Sequence, residues 1–315
     1  MISKISRFFV RNKNKLIITG CVVGGAILAT RYAHRKLRAW QEKQSLEFIE
    51  RTKQSQHFDG TELTCNQTIM SLAPQLCEAV CKCVMTEDII AELKTNPDNK
   101  VKLWSDLKIH AFSKVASLVY TSSVFVVTLR VQLSLLGGYV YKDSKNGTCN
   151  VDRDMQARYL SLCHNLLGEG VRGICKIIED NAAVAKDPRN PLADISKFVL
   201  PTTDMNSPLF STMIAETRDL LETEDVKSLL TLGVSQGFAT MMDHIAENFI
   251  PEEKIVEVEL KNEFVNMNKL QIPMAKMIPI VNGLVGKTSE VLVEKLIAID
   301  RIKVLGANVY ETFCH

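Results

Sequence analysis

Three motifs in this chain spell out residue patterns that do chemistry in other folds. Gly233-Val234-Ser235-Gln236-Gly237 has the spacing G-x-S-x-G of a hydrolase nucleophile elbow. That chemistry needs a sharp strand-to-helix turn to expose the serine hydroxyl. The surrounding segment, VKSLLTLGVSQGFATMMDHIAENF, carries one continuous helical pattern instead. Asp243 and His244 follow, but they are adjacent and only two helical turns on, which does not assemble a triad. Gly168-Glu169-Gly170-Val171-Arg172-Gly173 matches G-x-G-x-x-G. A dinucleotide site needs a strand before that motif and a helix after it, and YLSLCHNLL before it has helical spacing. The bland alternative is a helix with small residues where a neighbour packs closely. Cys77, Cys81 and Cys83 are spaced C-x3-C-x-C, which is not the C-x2-C pairing of zinc sites. They read as small buried residues on a helix. His57, His110, His164 and His315 stand apart and read as solvated or core histidines. No catalytic residue, metal site or cofactor is expected.

A fourth pattern suits binding rather than catalysis. Trp104 is one of two tryptophans, and with Leu107 it sits at i, i+3 near a helix start, so the two share a face. Leu93 lies on the preceding segment, and Lys94, Lys100 and Lys108 can rim the pair. An apolar anchor with a basic rim suits an acidic amphipathic helix laid into a groove, and tryptophan is enriched at interface hot spots. The alternative is a core tryptophan with solvated lysines, and the segment alone leaves both open.

The elements that must position these residues are helical throughout. Residues 34–57 are charged and free of Gly and Pro, residues 66–85 form a second helix, and residues 86–95 form a third with Thr86 as its cap. Asn96-Pro97-Asp98-Asn99 makes a turn, and a long helix runs from about Lys100 to Gly137. Within it, Val115 to Leu129 is uncharged but holds Ser117, Thr121, Ser122, Ser123 and Thr128, which favours a bundle centre over a membrane span. Helices follow over 153–182, from Pro208 after an Asn206-Ser207 start, over 224–249, 274–298 and 301–313. Residues 183–207 read as a loop, and 252–272 as a loop or one stray strand. The expected fold class is all-α, a single elongated bundle of long helices in one domain after an N-terminal anchor.

That anchor is the run LIITGCVVGGAILAT at 16–30, fenced by Lys4, Arg7, Arg11, Lys13 and Lys15 before it and Arg31, Arg35, Lys36 and Arg38 after it. A span takes about 20 apolar residues, with roughly 17 at the low end. Extension through Tyr32 and Ala33 reaches that range if Arg31 snorkels. An uncleaved anchor, a signal peptide and a buried N-terminal helix are the three readings. The dense basic cluster and the lack of a small-x-small cleavage site favour the first. Equal basic flanks leave orientation undecided by charge. The expected organisation is 1–38 as targeting segment and anchor, apolar over 16–33 and in contact with the bilayer, and 39–315 as one helical domain.

Composition narrows the function class. The 315 residues are 46% hydrophobic and 23% charged, with a formal net charge of +2. Near-neutral charge argues against nucleic-acid binding, which needs a clustered basic face. Nine cysteines, an odd number at irregular positions, point to a reducing compartment. The sequons at Asn66 and Asn146 would stay unglycosylated in a cytosol-facing domain.

Together, QHFDGTELTCNQTIMSLAP at 56–74, LWSDLKIHAFSK at 103–114, LRVQLSLLGGYVY at 129–141, ETRDLLE at 216–222, MAKMIPIVNG at 274–283 and ANVYETF at 307–313 resemble the peroxin-3 family. The order is right and the likeness is densest over 56–142; residues 183–207 and 252–272 depart from the pattern. The resemblance implies an integral peroxisomal membrane protein, single-pass, with a cytosolic all-α domain and passage through the endoplasmic reticulum. It implies a docking receptor, not an enzyme, that binds the chaperone peroxin-19 and its cargo. The partner would be the amphipathic N-terminal helix of peroxin-19, with peroxin-16 and other peroxisomal membrane proteins as further partners. The family's groove residues land on Trp104 and Leu107, with flanking contacts at Leu93, Lys94 and Lys100 and Lys276 as a neighbour. The rival functions are a structural tether to another organelle and a membrane-anchored hydrolase using Ser235.

Overall fold

The computed structural model describes residues 13–95, 97–183, 190–193, 195–200, 207–248 and 273–315, with side chains described from residue 30 on. All regular structure among them is helical. Helix α1 runs Lys13–Cys83, α2 Glu87–Lys94, α3 Lys100–Asn146 and α4 Arg153–Leu160. A short α5, Leu162–Asn165, leads through a π turn, Leu166–Gly170, into α6, Val171–Ala183. Then come α7 Ile195–Val199, α8 Pro208–Leu221, α9 Glu224–Glu247, α10 Met274–Ile297 and α11 Asp300–Phe313. The all-α expectation holds. The possible stray strand at 252–272 lies outside the described residues.

The chain divides into two units, Met1–His57 and Phe58–His315. The described residues of the first form the N-terminal part of α1, whose residues 39–57 the sequence had placed with the main domain. Its described side chains include the exposed Tyr32, Leu37, Trp40 and Phe48. The apolar segment 16–33, expected to be an anchor, falls within α1, and at 1.5 Å per residue it is about 27 Å long.

The second unit is built around α3. This helix packs against α2, α6, α8, α9, α10 and α11. Between Val115 and Leu129 only Ala116 and Tyr120 are even half-exposed, so protein covers this apolar stretch and it is a bundle centre. Two of its hydroxyls bond back into the helix: Thr121 Oγ1 donates to the Ser117 carbonyl at 2.6 Å and Ser123 Oγ to that of Val119 at 2.8 Å. Arg130, 1% exposed, donates to Asn66 Oδ1 at 2.6 Å and lies 3.7 Å from Glu62 Oε1. That pairing ties α3 to the second-unit part of α1, as a buried charge requires.

Several boundaries differ from the sequence reading, each for a local reason. Helix α1 does not break between 57 and 66, and it passes through both Gly60 and Pro74. Pro74 itself is solvent-exposed, and it leaves the carbonyl of Met70 without its intrahelical partner. Helix α3 does not stop at Gly137-Gly138 but continues to Asn146. A β-carbon on Gly138 would lie 2.9 Å from Phe313 Cβ and 3.0 Å from the Tyr310 carbonyl oxygen, so this glycine admits α11 rather than ending the helix. The true stop is Gly147, at φ 66°, whose N–H returns to the Asp143 carbonyl. The segment 153–182 is interrupted at Ser161 and again by the π turn. Ser207 precedes Pro208 as expected, but its side chain makes no capping bond.

Candidate partner-binding groove

The turn at Pro97 folds α2 back along α3, and α10 closes the third side. Thr86 stands before α2, yet its hydroxyl does not cap that helix. It donates instead to Asn282 Oδ1 on α10 at 2.8 Å. Glu87, at the start of α2, lies 3.7 Å from the buried Lys114 Nζ of α3. These two links fix the three helices around an open groove of about 360 Å³.

Helix α2 contributes Ile90, Leu93 and Lys94 to the groove, and α3 contributes Trp104 and Leu107. Helix α10 contributes Ile278, Pro279 and Asn282. The floor is dry: Leu107 is 5% exposed and Ile278 4%. Trp104 leaves 40% of its surface open to solvent. An indole so exposed beside an apolar floor is uncommon in a protein with this much buried core to join.

Of the residues singled out from sequence, the groove therefore brings together Leu93, Lys94, Trp104 and Leu107. Lys100, Lys108 and Lys276 do not line it; all three are exposed. They lie on α3 and α10, the helices that also supply groove residues. The sequence reading missed Ile90, Ile278, Pro279 and Asn282. Ile90 was within reach, because it precedes Leu93 by one turn. The α10 residues come from far along the chain, and only the segment MAKMIPIVNG signalled them.

A larger cleft of about 500 Å³ opens between α1 and the π turn, lined by residues including Glu78, Lys82 and Arg172. Its charges are already matched: Lys82 lies 2.7 Å from Glu78, and Arg172 2.7 Å from Glu169. It lacks an aromatic anchor, and the smaller groove at Trp104 is the better candidate for protein recognition.

The motif residues of enzymes are placed otherwise. Ser235 is exposed in the middle of α9, with no turn before it. His244 faces Glu247, Nδ1 to Oε2 at 3.0 Å. Gly237 admits Val119, whose Cγ1 would lie 2.7 Å from an added β-carbon. Gly170 and Gly173 lie against Phe198 of α7 in the same way, and any β-carbon on Gly170 would collide with the Phe198 carbonyl. Both glycine motifs are thus packing devices. Among the described residues, no three His, Cys, Asp or Glu side chains are grouped to hold a metal ion.

Comparison with known proteins agrees with the resemblance. The peroxin-3 family model matches residues 7–99 and 94–145. Peroxisomal biogenesis factor 3 of Homo sapiens is 31% identical over 371 aligned positions, covering 99% of this chain and 98% of the human one. The same-named protein of Bos taurus is 32% identical over 362 positions, 97% of this chain and 96% of its own length. A peroxisomal membrane protein, PEX3, of Komagataella phaffii is 25% identical over 174 positions, 42% of this chain and 38% of its own. The human alignment is longer than the 315 residues here, so that relative carries segments this chain lacks. The chain belongs to the peroxin-3 family, with a role in peroxisome biogenesis at the peroxisomal membrane.

Proposed function

We propose that this protein is a single-pass docking receptor whose Trp104 groove captures the amphipathic N-terminal helix of peroxin-19 from the cytosol. Residues 16–33 span the bilayer, and the helical domain faces the cytosol. Cargo-loaded peroxin-19 is held at the organelle through the groove, and membrane-protein insertion follows. The work is mechanical and needs no catalytic group.

The observation that carries this reading is the half-exposed Trp104 above the buried Leu107 and Ile278. An apolar helix face covers the indole, completing a site that the free protein leaves open. The exposed Lys94, Lys100, Lys108 and Lys276 favour acidic side chains on the arriving helix. Such rim charges act mainly on the encounter rate and are screened by salt.

The test is a titration of the full chain in lipid nanodiscs with the N-terminal peptide of peroxin-19. Truncating a hot-spot tryptophan costs about 2 kcal/mol or more, so Trp104→Ala should weaken binding by at least ~30-fold. Because Trp104 is not core, the variant should keep its helical circular dichroism. Unchanged affinity in a folded variant would move the docking site elsewhere.

A further inference from the structure

The groove is apolar except at two points. Ile90, Leu93, Trp104, Leu107, Ile278 and Pro279 supply its carbon surface, and Lys94 and Asn282 are its polar members. Lys94 is an exposed rim charge. Asn282 is different: it is uncharged, half-buried, and one turn along α10 from Ile278 of the floor. A partner laid over that amide removes it from water, which is unfavourable unless the partner bonds to it.

The amide is held one way round. Thr86 is fully buried, so its hydroxyl proton needs an acceptor. The side-chain acceptor it meets is Asn282 Oδ1, at 2.8 Å. With the amide turned over, Nδ2 would face the hydroxyl, and the proton would lose that acceptor. The bond displaces another that Thr86 is placed to make. A threonine just before a helix ordinarily caps it, and Thr86 makes no side-chain cap to α2. The Glu87 carboxylate accepts the Thr86 backbone N–H instead, at 3.0 Å. With Oδ1 engaged towards α2, Asn282 offers the groove its Nδ2 and two N–H donors. Nδ2 bonds to none of the described residues and is open to solvent.

We infer that Asn282, positioned by Thr86, is a specificity-determining contact whose Nδ2 donates to a side-chain carboxylate or carboxamide oxygen on the docked helix. Backbone carbonyls within a helix are already paired, so the oxygen comes from a side chain. A wholly apolar face over Nδ2 buries its N–H groups without partners and is penalised. A face with an oxygen at that point is not. A polar group in a site rejects ligands that lack its complement more sharply than apolar surface does. The inference rests on the docking reading above and deepens it.

Asn282 and the rim lysines select by different physics. The lysines act at range, favour acidic partners in general and are screened by salt. Asn282 carries no charge and acts only at contact distance, so its effect persists in salt. It also selects a single position on the helix, and thereby sets how far along the groove the helix lies. The long apolar wall of Ile90, Leu93 and Trp104 does not set that register, because apolar contact is non-directional.

The test titrates the full chain in nanodiscs with the N-terminal peroxin-19 peptide, and with peptides in which each Asp, Glu, Asn or Gln is singly replaced by alanine. Asn282→Ala should weaken the unaltered peptide about tenfold, by the same factor in low and high salt. One alanine peptide should bind the parent about tenfold more weakly, yet bind Asn282→Ala as the unaltered peptide does. Thr86→Val keeps the size and removes the hydroxyl. It should weaken the unaltered peptide about threefold, and have no further effect once Asn282 is alanine. The double variant removes both ends of the bond, so a loss there is not that of a buried group left unpaired. Each variant is first checked for helical circular dichroism. Parent-like affinity of Asn282→Ala, or a loss that no peptide position shares, would overturn the contact. A Thr86→Val effect that persists in the double variant would overturn the positioning. Trp104→Ala separates this contact from the docking reading. If that variant loses binding while Asn282→Ala keeps it, docking stands and the Asn282 contact falls. If the parent itself does not bind, the docking reading fails and the contact with it.

Discussion

At the scale of single residues, Asp143 ties the turn that follows α3 to the end of that helix. Its carboxylate accepts from Thr148 Oγ1 at 2.7 Å, from the backbone of Asn150 at 2.7 Å and Val151 at 2.8 Å, and from Asn150 Nδ2 at 2.8 Å. Burial pushes this acid up, but the hydrogen bonds from Thr148, Val151 and Asn150 win and hold it below the usual carboxylate range. A folded-state value below the unfolded one gives stability that is present above about pH 4 and lost as pH falls through the folded value. Asp143→Ala should therefore cost about 2 kcal/mol at pH 7 in urea unfolding, a gap that shrinks towards pH 3. A gap constant across that range would mean that the carboxylate charge contributes nothing. Trp104 and Leu107 were legible as a pair because i, i+3 spacing on a helix is a local rule. Whether Trp104 was core or surface was not legible, since burial depends on what α10 leaves uncovered. Ile278 and Asn282 were hidden for the same reason.

At the scale of elements, periodicity located the helices well and their ends less well. Glycine is the cause. A glycine in a helical pattern signals either a stop or a close approach, and sequence alone does not separate the two. Gly137-Gly138 read as a stop and proved to be a contact; Gly147 carries the positive φ that a stop needs. The distinction has opposite signs under substitution. At Gly138 a methyl group meets backbone and the Phe313 β-carbon, which cannot rotate away, so Gly138→Ala should destabilise by about 1–3 kcal/mol. At Gly286 of α10 an added β-carbon meets nothing within 4 Å, so Gly286→Ala should stabilise by about 0.5–1 kcal/mol through helix propensity. Paired urea midpoints read both; a Gly138→Ala variant as stable as the parent would contradict the packing assigned to Gly138, and a destabilised Gly286→Ala would contradict the open space at Gly286. In the apolar run of α3 the serines and threonines marked the stretch as core, and the bonds of Thr121 and Ser123 to helix carbonyls show how those two are tolerated there.

At the scale of the whole molecule, the all-α class followed from periodicity, and the family followed from six segments in order rather than from any one motif. The two literal enzyme motifs were the least informative features of the sequence, because each lacks the strand its chemistry requires. The groove needed the fold, since three helices separated by up to 180 residues of chain build it. Trp104 is the point at which these scales meet, and the chain offers a direct probe of it. Only Trp40 and Trp104 carry indole, so Trp40→Phe leaves Trp104 as the sole reporter in the full chain. Titrating that variant in nanodiscs with the peroxin-19 peptide should shift the emission to shorter wavelength and protect it from acrylamide, saturating at the affinity measured independently. Saturable binding that leaves the Trp104 emission and quenching unchanged would contradict the account, because the partner would then dock away from the groove.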